Sequence, residues 1–232
     1  FFLSLSSLIN TNNNFKSFRR SSLGRTELEV QLMRQANHKN IPKVLNFYQT
    51  EKGAYLVQEY IEGVELFEML QNLERCMSEE RIWKIFSQIV ETVDHLHSKS
   101  IIHNDLKIEN IMIDKNDKIT LIDFGHSFIN GSDIYPGHST LEYTSPEALL
   151  SNNCNFQSEV WSLGVILFIM LFGIFPFDGT QEEIFCGIVN GKCKYSKNPI
   201  SREVYDLLNK MIAVDPKDRI RKIFFLFLIV NC

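Results

Sequence analysis

The stretch Ile102 to Gly125, IHNDLKIENIMIDKNDKITLIDFG, constrains this chain more than any other. It holds two carboxylates, Asp105 and Asp123, an amide at Asn110 and a cation at Lys107, with a short apolar hairpin between the two halves. These are the groups that phosphoryl transfer requires: a carboxylate to orient a hydroxyl, oxygen ligands for Mg²⁺, and a cation for the moving phosphate. A single turn Asp or a hairpin-flanking Asn is commonplace. The joint spacing carries the inference, because an Asp-Phe-Gly follows 13 residues after Asn110 and a Ser-Pro-Glu ends 22 residues after Gly125.

Composition sets the outer bounds. The 232 residues are 44% hydrophobic and 22% charged, an ordinary globular balance with enough chain for a sizeable core. A net charge of −4 and the lack of any Lys/Arg block give no support to a nucleic-acid surface. Cysteines 76, 154, 186, 193 and 232 form no CxxC pair and have no His at zinc spacing, so they read as reduced, packing thiols of an intracellular protein. The longest apolar run, Leu163 to Phe175, spans about 13 residues against the roughly 18 of a membrane span, and reads as a buried core helix. The opening FFLSLSSLI has no basic n-region and no initiating Met, which fits a clipped or mis-started end better than a signal peptide.

Residues 1–22 show no period and are expected to be irregular. From Thr26, apolar residues Leu28, Leu32, Met33 and Ala36 mark one side of a helix, which the polar cluster before Pro42 ends. Strands are expected at Val44–Tyr48 and Ala54–Tyr60, split by a Glu51-Lys-Gly turn. Ser78 to Lys99 is the clearest helix, with Ser78 as N-cap and Glu79 and Glu80 in the first turn. His95 and His97 lie two apart on it and point away from each other, so they make no metal pair. His126 to Glu147 is aperiodic and polar, as a mobile substrate-facing loop would be. The run after Glu159 is apolar all round and should be a helix buried by others, with two amphipathic helices after it at about 181–190 and 201–213.

HNDLKIEN with the later DFG resembles the catalytic and metal-binding loops of protein kinases, and the resemblance extends from about Glu27 to Arg219. It implies an α+β fold of two lobes: a partial β N-lobe with the C-helix at 23–61 and a mainly α-helical C-lobe at 62–222, flanked by 1–22 and an atypical apolar tail at 223–232. It also implies ATP and Mg²⁺ as cofactors, protein substrates, no membrane and a cytoplasmic setting, with the regulatory partner open. By the same resemblance Asp105 orients the substrate hydroxyl, Lys107 neutralises the γ-phosphate, and Asn110 and Asp123 hold Mg²⁺. Gln58 becomes the gatekeeper, and the backbone from Glu59 to Ile61 meets adenine. Glu65 lies near the ribose and Met112 lines the nucleotide site. Glu29 occupies the slot of the Glu that pairs with a nucleotide lysine, against the plain alternative of a solvated helix face. His103 braces the loop beneath Phe124, and Arg219 pairs with Glu147. Lys107 and Thr140 resemble serine/threonine rather than tyrosine kinases, nearest the calmodulin-dependent and AMP-regulated relatives.

The chain also departs from the family pattern. It holds no G-x-G-x-x-G and no V-A-I-K, and Lys16, 13 residues before Glu29, reads as a solvated loop lysine. The first three N-lobe strands are therefore expected to be absent, leaving an exposed strand edge and a poorly soluble chain. Asn104 replaces the Arg that pairs with activation-loop phosphate, and Pro136 stands where a phosphorylatable Thr often falls, so control by loop phosphate is expected to be weak or missing. Glu159 replaces an Asp that braces the catalytic loop, and its extra methylene is expected to misplace that bond. Ser139 takes a position usual for Gly. Two functions stay open: an active serine/threonine kinase, and a pseudokinase or kinase-fold interaction module. Both Phe-rich ends are expected to be misread flanks of a longer gene. A Ser/His/Asp hydrolase finds no G-x-S-x-G or H-E-x-x-H to support it.

Overall fold

The computed structural model describes residues 18–21, 23–50, 53–72, 77–132, 137, 140–193 and 200–221. Lys16, Cys76, Pro136, Ser139, Cys232 and the apolar tail lie outside the described residues.

The N-terminal part is a three-stranded antiparallel sheet with one helix against it. Strand β1 (Phe18–Ser21) leads into helix α1 (Leu23–Ala36), followed by β2 (Val44–Thr50) and β3 (Gly53–Gln58). The order is β1-β3-β2, so β3 is the central strand, paired to β1 from Phe18↔Val57 to Ser21↔Ala54. This corrects the expectation of an irregular flank: four of its residues form a strand that pairs the second edge of β3, while β2 stays an edge strand among the described residues. An open strand edge offers a row of backbone donors and acceptors, which is enough to order a segment without strong strand character of its own. Helix α1 stops where expected: Asn37 takes a left-handed backbone, φ 36°, that ends the helix before Pro42.

A second antiparallel sheet, β4-β6-β7, begins the C-terminal part: β4 (Val64–Glu65), β6 (Ile111–Ile113) and β7 (Ile119–Leu121). A third pairing joins β5 (Ile101–Ile102) to β8 (Phe128–Ile129). Helix α2 (Leu66–Gln71) follows β4 directly, and α3 (Glu79–Ser98) carries the chain back to β5. Ser78 caps α3, its hydroxyl accepting from Arg81 N–H, and the face Ile82, Ile85, Phe86, Ile89, Val90, Val93, Leu96 is fully buried, each side chain contributing about 1.5–3 kcal/mol.

Helices α4 (Pro146–Ser151), α5 (Phe156–Phe172), α6 (Gln181–Asn190) and α7 (Arg202–Met211) complete the described C-terminal part. The core runs along α5, whose residues from Val160 to Phe172 are buried except Ser162. Gly164 on α5 permits direct contact with α7, because a Cβ there would meet Ile212 Cγ2 at 2.7 Å and Met211 Cβ at 2.9 Å. The segment from His126 to Glu147 is more structured than its aperiodic sequence suggests: it contains β8 and a 3₁₀ turn at Leu141–Tyr143. No helix among the described residues is long and apolar enough to cross a membrane.

Candidate active site

Two pairings of short strands set up the site. The chain leaves β5 at Ile102, forms the loop 103–110 and enters β6; it leaves β7 at Leu121, turns through 122–127 and enters β8. Because β5 pairs with β8 and β6 with β7, the two loops run side by side. Ile122 N–H donates to the Asn110 carbonyl at 2.9 Å and locks them together.

Asp105 is the hub of the first loop, and it is 5% exposed. Its Oδ2 accepts from Asn110 Nδ2 at 2.8 Å and meets Lys107 Nζ at 3.0 Å. Its Oδ1 accepts from the Thr140 hydroxyl at 3.3 Å, and that hydroxyl in turn accepts from Lys107 Nζ at 3.0 Å. Asn110 Nδ2 also donates to the Asp105 carbonyl at 2.9 Å. Both amide hydrogens of Asn110 are therefore directed at Asp105, which fixes the amide plane and leaves its oxygen as an acceptor.

His103 lies beneath, fully buried. Its Nδ1 accepts from Asp105 N–H at 3.3 Å, so the ring proton sits on Nε2 and is donated to the Ile122 carbonyl at 3.1 Å. Burial holds this imidazole below its ordinary pKa of 6.5, despite the nearby Glu159 and Asp105 carboxylates, which keeps the neutral tautomer in place. Phe124 meets it edge to face at 4.8 Å. The bracing role expected for His103 is what the geometry displays.

Asp123 adopts a left-handed backbone, φ 63°, and its Oδ1 accepts from Gly125 N–H at 3.1 Å. The Asp123 carboxylate and the Asn110 amide oxygen are hard oxygen donors of the kind Mg²⁺ takes, so their chemistry fits that cation. Arg25 of α1, not foreseen from the sequence, donates Nε–H to the Gly125 carbonyl at 2.7 Å. The one signal for it was its i, i+4 relation to Glu29, which puts both on one face of α1. Glu29 is buried, 4% exposed, which rules against the solvated-face alternative.

The replacements flagged in sequence have structural answers. Glu159 Oε1 accepts from Asn104 N–H at 2.9 Å, so the extra methylene does not lose the loop. Its Oε2 meets His97 Nε2 at 2.7 Å, while His95 turns to the Ala36 carbonyl; the two histidines do serve different elements. Asn104, at φ 63°, donates from Nδ2 to the Gly137 carbonyl at 3.1 Å and so still reaches the segment before Thr140. Arg219 grips Glu147 with Nη1 and Nη2, both at 2.7 Å, as the resemblance implied.

The remaining candidates lie around the first sheet and β4. Glu59, after β3, donates its N–H to the Lys43 carbonyl at 3.0 Å, and Ile61 follows it, half-buried. Glu65 is exposed on β4 and stands directly opposite Met112 of β6. Cys154, Cys186 and Cys193 are free thiols. Burial pushes Cys154 and Cys193 each up to about 12, which keeps them protonated and inert at neutral pH.

The protein kinase domain family model matches residues 10–223. This chain belongs to the protein kinase family. The kinase is 39% identical over 180 residues to a probable serine/threonine-protein kinase KIN1 homolog of Enterocytozoon bieneusi, covering 76% of this chain and 30% of the relative. A KIN1 homolog of Encephalitozoon cuniculi is 34% identical over 195 residues, 82% of this chain and 34% of its own. The Aurora kinase of Saccharomyces cerevisiae is 34% identical over 196 residues, 83% and 53%. The chain thus spans from under a third to about half the length of these relatives.

Proposed function

We propose that this kinase domain transfers the γ-phosphoryl group of ATP to serine and threonine hydroxyls of protein substrates in the cytoplasm. The observation that carries the reading is the gathering of Lys107, Asn110 and Thr140 on the two oxygens of Asp105. Held from both sides, that carboxylate has one orientation in which to accept the hydrogen bond of an incoming hydroxyl and take its proton. Lys107, 3.0 Å away, offsets negative charge that develops beside it. Asn110 and Asp123 would hold Mg²⁺, and the bound metal–nucleotide pair supplies the phosphoryl group and screens its charge. The backbone from Glu59 to Ile61 would meet adenine, with Glu65 near the ribose, Met112 lining the nucleotide site and Glu29 in the slot of the acidic residue that faces that site in the family. The Thr140 hydroxyl between Lys107 and Asp105, together with the names of the relatives, supports serine/threonine rather than tyrosine specificity.

The test is thermal melting with ATP, with and without Mg²⁺. A rise in Tm that needs both, and that disappears in Asp123→Asn, supports the reading. A cooperative melt that ignores Mg²⁺ and ATP favours the interaction-module alternative.

A further inference from the structure

We infer that Asp117 is a positioning residue, gripped by helix α3 so that the hairpin β6–β7 keeps the register that sets Asn110 against Asp123; the inference rests on the proposed reading of those two residues as metal ligands. Asn110 stands just before β6 and Asp123 two residues after β7, so their relative placement depends on how the two strands pair. The pairing covers three positions, Ile111↔Leu121, Met112↔Thr120 and Ile113↔Ile119. Apolar patterning does little to choose it. All three residues of β7 are buried, as are Ile111 and Ile113 of β6, so a one-residue slip trades one buried side chain for another rather than core for solvent. In a hairpin this short, the turn fixes the register.

The turn is held twice. From within, Asp114 Oδ1 accepts from Asn116 N–H at 2.8 Å and from Lys118 N–H at 2.9 Å, while Asp117 takes a left-handed backbone, φ 62°. From outside, Arg81, Lys84 and Gln88, spaced to share one face of α3, converge on Asp117. Arg81 donates from Nε and Nη2 to its Oδ1 at 3.0 and 2.8 Å, Lys84 Nζ donates to its Oδ2 at 3.1 Å, and Gln88 Nε2 donates to its carbonyl at 2.7 Å. Gln88 Oε1 also accepts from Ile119 N–H at 3.3 Å, so one side chain grips both the turn and the first residue of β7. Burial acts upward on the Asp117 carboxyl, but Arg81 and Lys84 outweigh it and keep the carboxylate charged within their grip. Helix α3 makes a firm post, because its apolar face is fully buried in the core. At the open end of the hairpin, the bond from Ile122 N–H to the Asn110 carbonyl at 2.9 Å reports the register, since it closes only while β6 and β7 pair in this way.

Two measurements on the full chain test this. The first is hydrogen exchange of the Ile122 amide, without metal or nucleotide, taken as a ratio to that of Ile166 in the buried part of α5. The second is the Mg²⁺ concentration needed for half of the ATP-dependent rise in Tm. Asp117→Gly keeps the left-handed backbone and removes the carboxylate. Losing one such hydrogen bond corresponds to a factor of about three to ten, so both quantities should rise by that factor. Asp117→Asn also accepts a left-handed backbone and keeps an acceptor for Arg81; it should give a smaller rise in both, and it carries the test if the glycine variant does not fold. A merely structural role would loosen Ile122 and Ile166 alike and leave the ratio where it was. If the wild-type chain responds to Mg²⁺ and ATP while either quantity stays at its wild-type value in every variant that folds, the role of Asp117 is overturned and the site reading stands. If the wild-type chain shows no Mg²⁺-dependent response, the site reading fails and the link from Asp117 to a metal falls with it.

Discussion

Glu159 holds Asn104 N–H at 2.9 Å with one carboxylate oxygen while the other meets His97 at 2.7 Å. A buried carboxylate on α5 thus ties helix α3 to the residue before Asp105. The extra methylene that threatened this bond instead lets one side chain span both partners. Glu159→Asp should lose one of them. The expected result is a fall in phosphate transfer of about tenfold and a stability loss of about 1–3 kcal/mol, read by steady-state kinetics and urea unfolding.

Arg219 and Glu147 form a second tie, between the segment after α7 and helix α4. The Arg219 side chain is fully buried, lies 5.1 Å from the Trp161 ring centre, and also donates to the carbonyls of Ala213, Gln157 and Val214. Arg219→Ala leaves Glu147 without its countercharge, and the expected cost is about 3–5 kcal/mol in denaturant unfolding. A loss under 1 kcal/mol would mean that the pair is replaced by solvent.

Stability should fall in two steps as the solution is acidified. His103 and His38 are both held below 6.5, chiefly by burial, so the unfolded chain binds their protons first. Their contribution is complete above 6.5 and is lost as pH falls toward their folded values. For Glu147 burial acts upward, but the hydrogen bonds and charge of Arg219 outweigh it and leave the carboxyl below 4.5. Its contribution is complete above that value and is lost below it. Urea midpoints measured from pH 8 to pH 4 should decline from about 6.5 and more steeply near 4.5, and Glu147→Gln should remove the second decline.

The close approach of α5 and α7 at Gly164 predicts a packing effect with no chemical role. A methyl group there would press on Ile212 and on Met211 Cβ, which is fixed to backbone and cannot swing away. Gly164→Ala should destabilise the kinase by about 1–3 kcal/mol, seen as a lower Tm. An unchanged Tm would show that α7 yields without cost.

Much of this was legible locally. The apolar stripe and cap of α3, the all-round apolar run of α5 and the Thr180-to-Gly191 bounds of α6 are written in neighbouring residues, because a helix is closed by contacts three and four apart. The spacing from Asp105 to Asp123 was legible for a related reason, since the hairpin between them is a short-range structure. What escaped depends on distant partners. Strand β1 exists because β3 offers it an edge, and the two-residue strands β4, β5 and β8 are defined only by their register with other segments. The contacts Arg25–Gly125 and His97–Glu159 join residues 100 and 62 positions apart, and nothing near either residue announces its partner.

The most direct test of the central claim is phosphate transfer from Mg²⁺ and ATP to a protein substrate, compared between the wild-type chain and Asp105→Asn. The variant keeps the shape of the side chain and its place beside Asn110 and Lys107 but removes the base. Measurable transfer to Ser or Thr is expected in the wild-type chain, with a loss of about 10²- to 10⁴-fold in the variant and the Mg²⁺-dependent ATP response retained. Transfer that survives Asp105→Asn at the wild-type rate would contradict the claim.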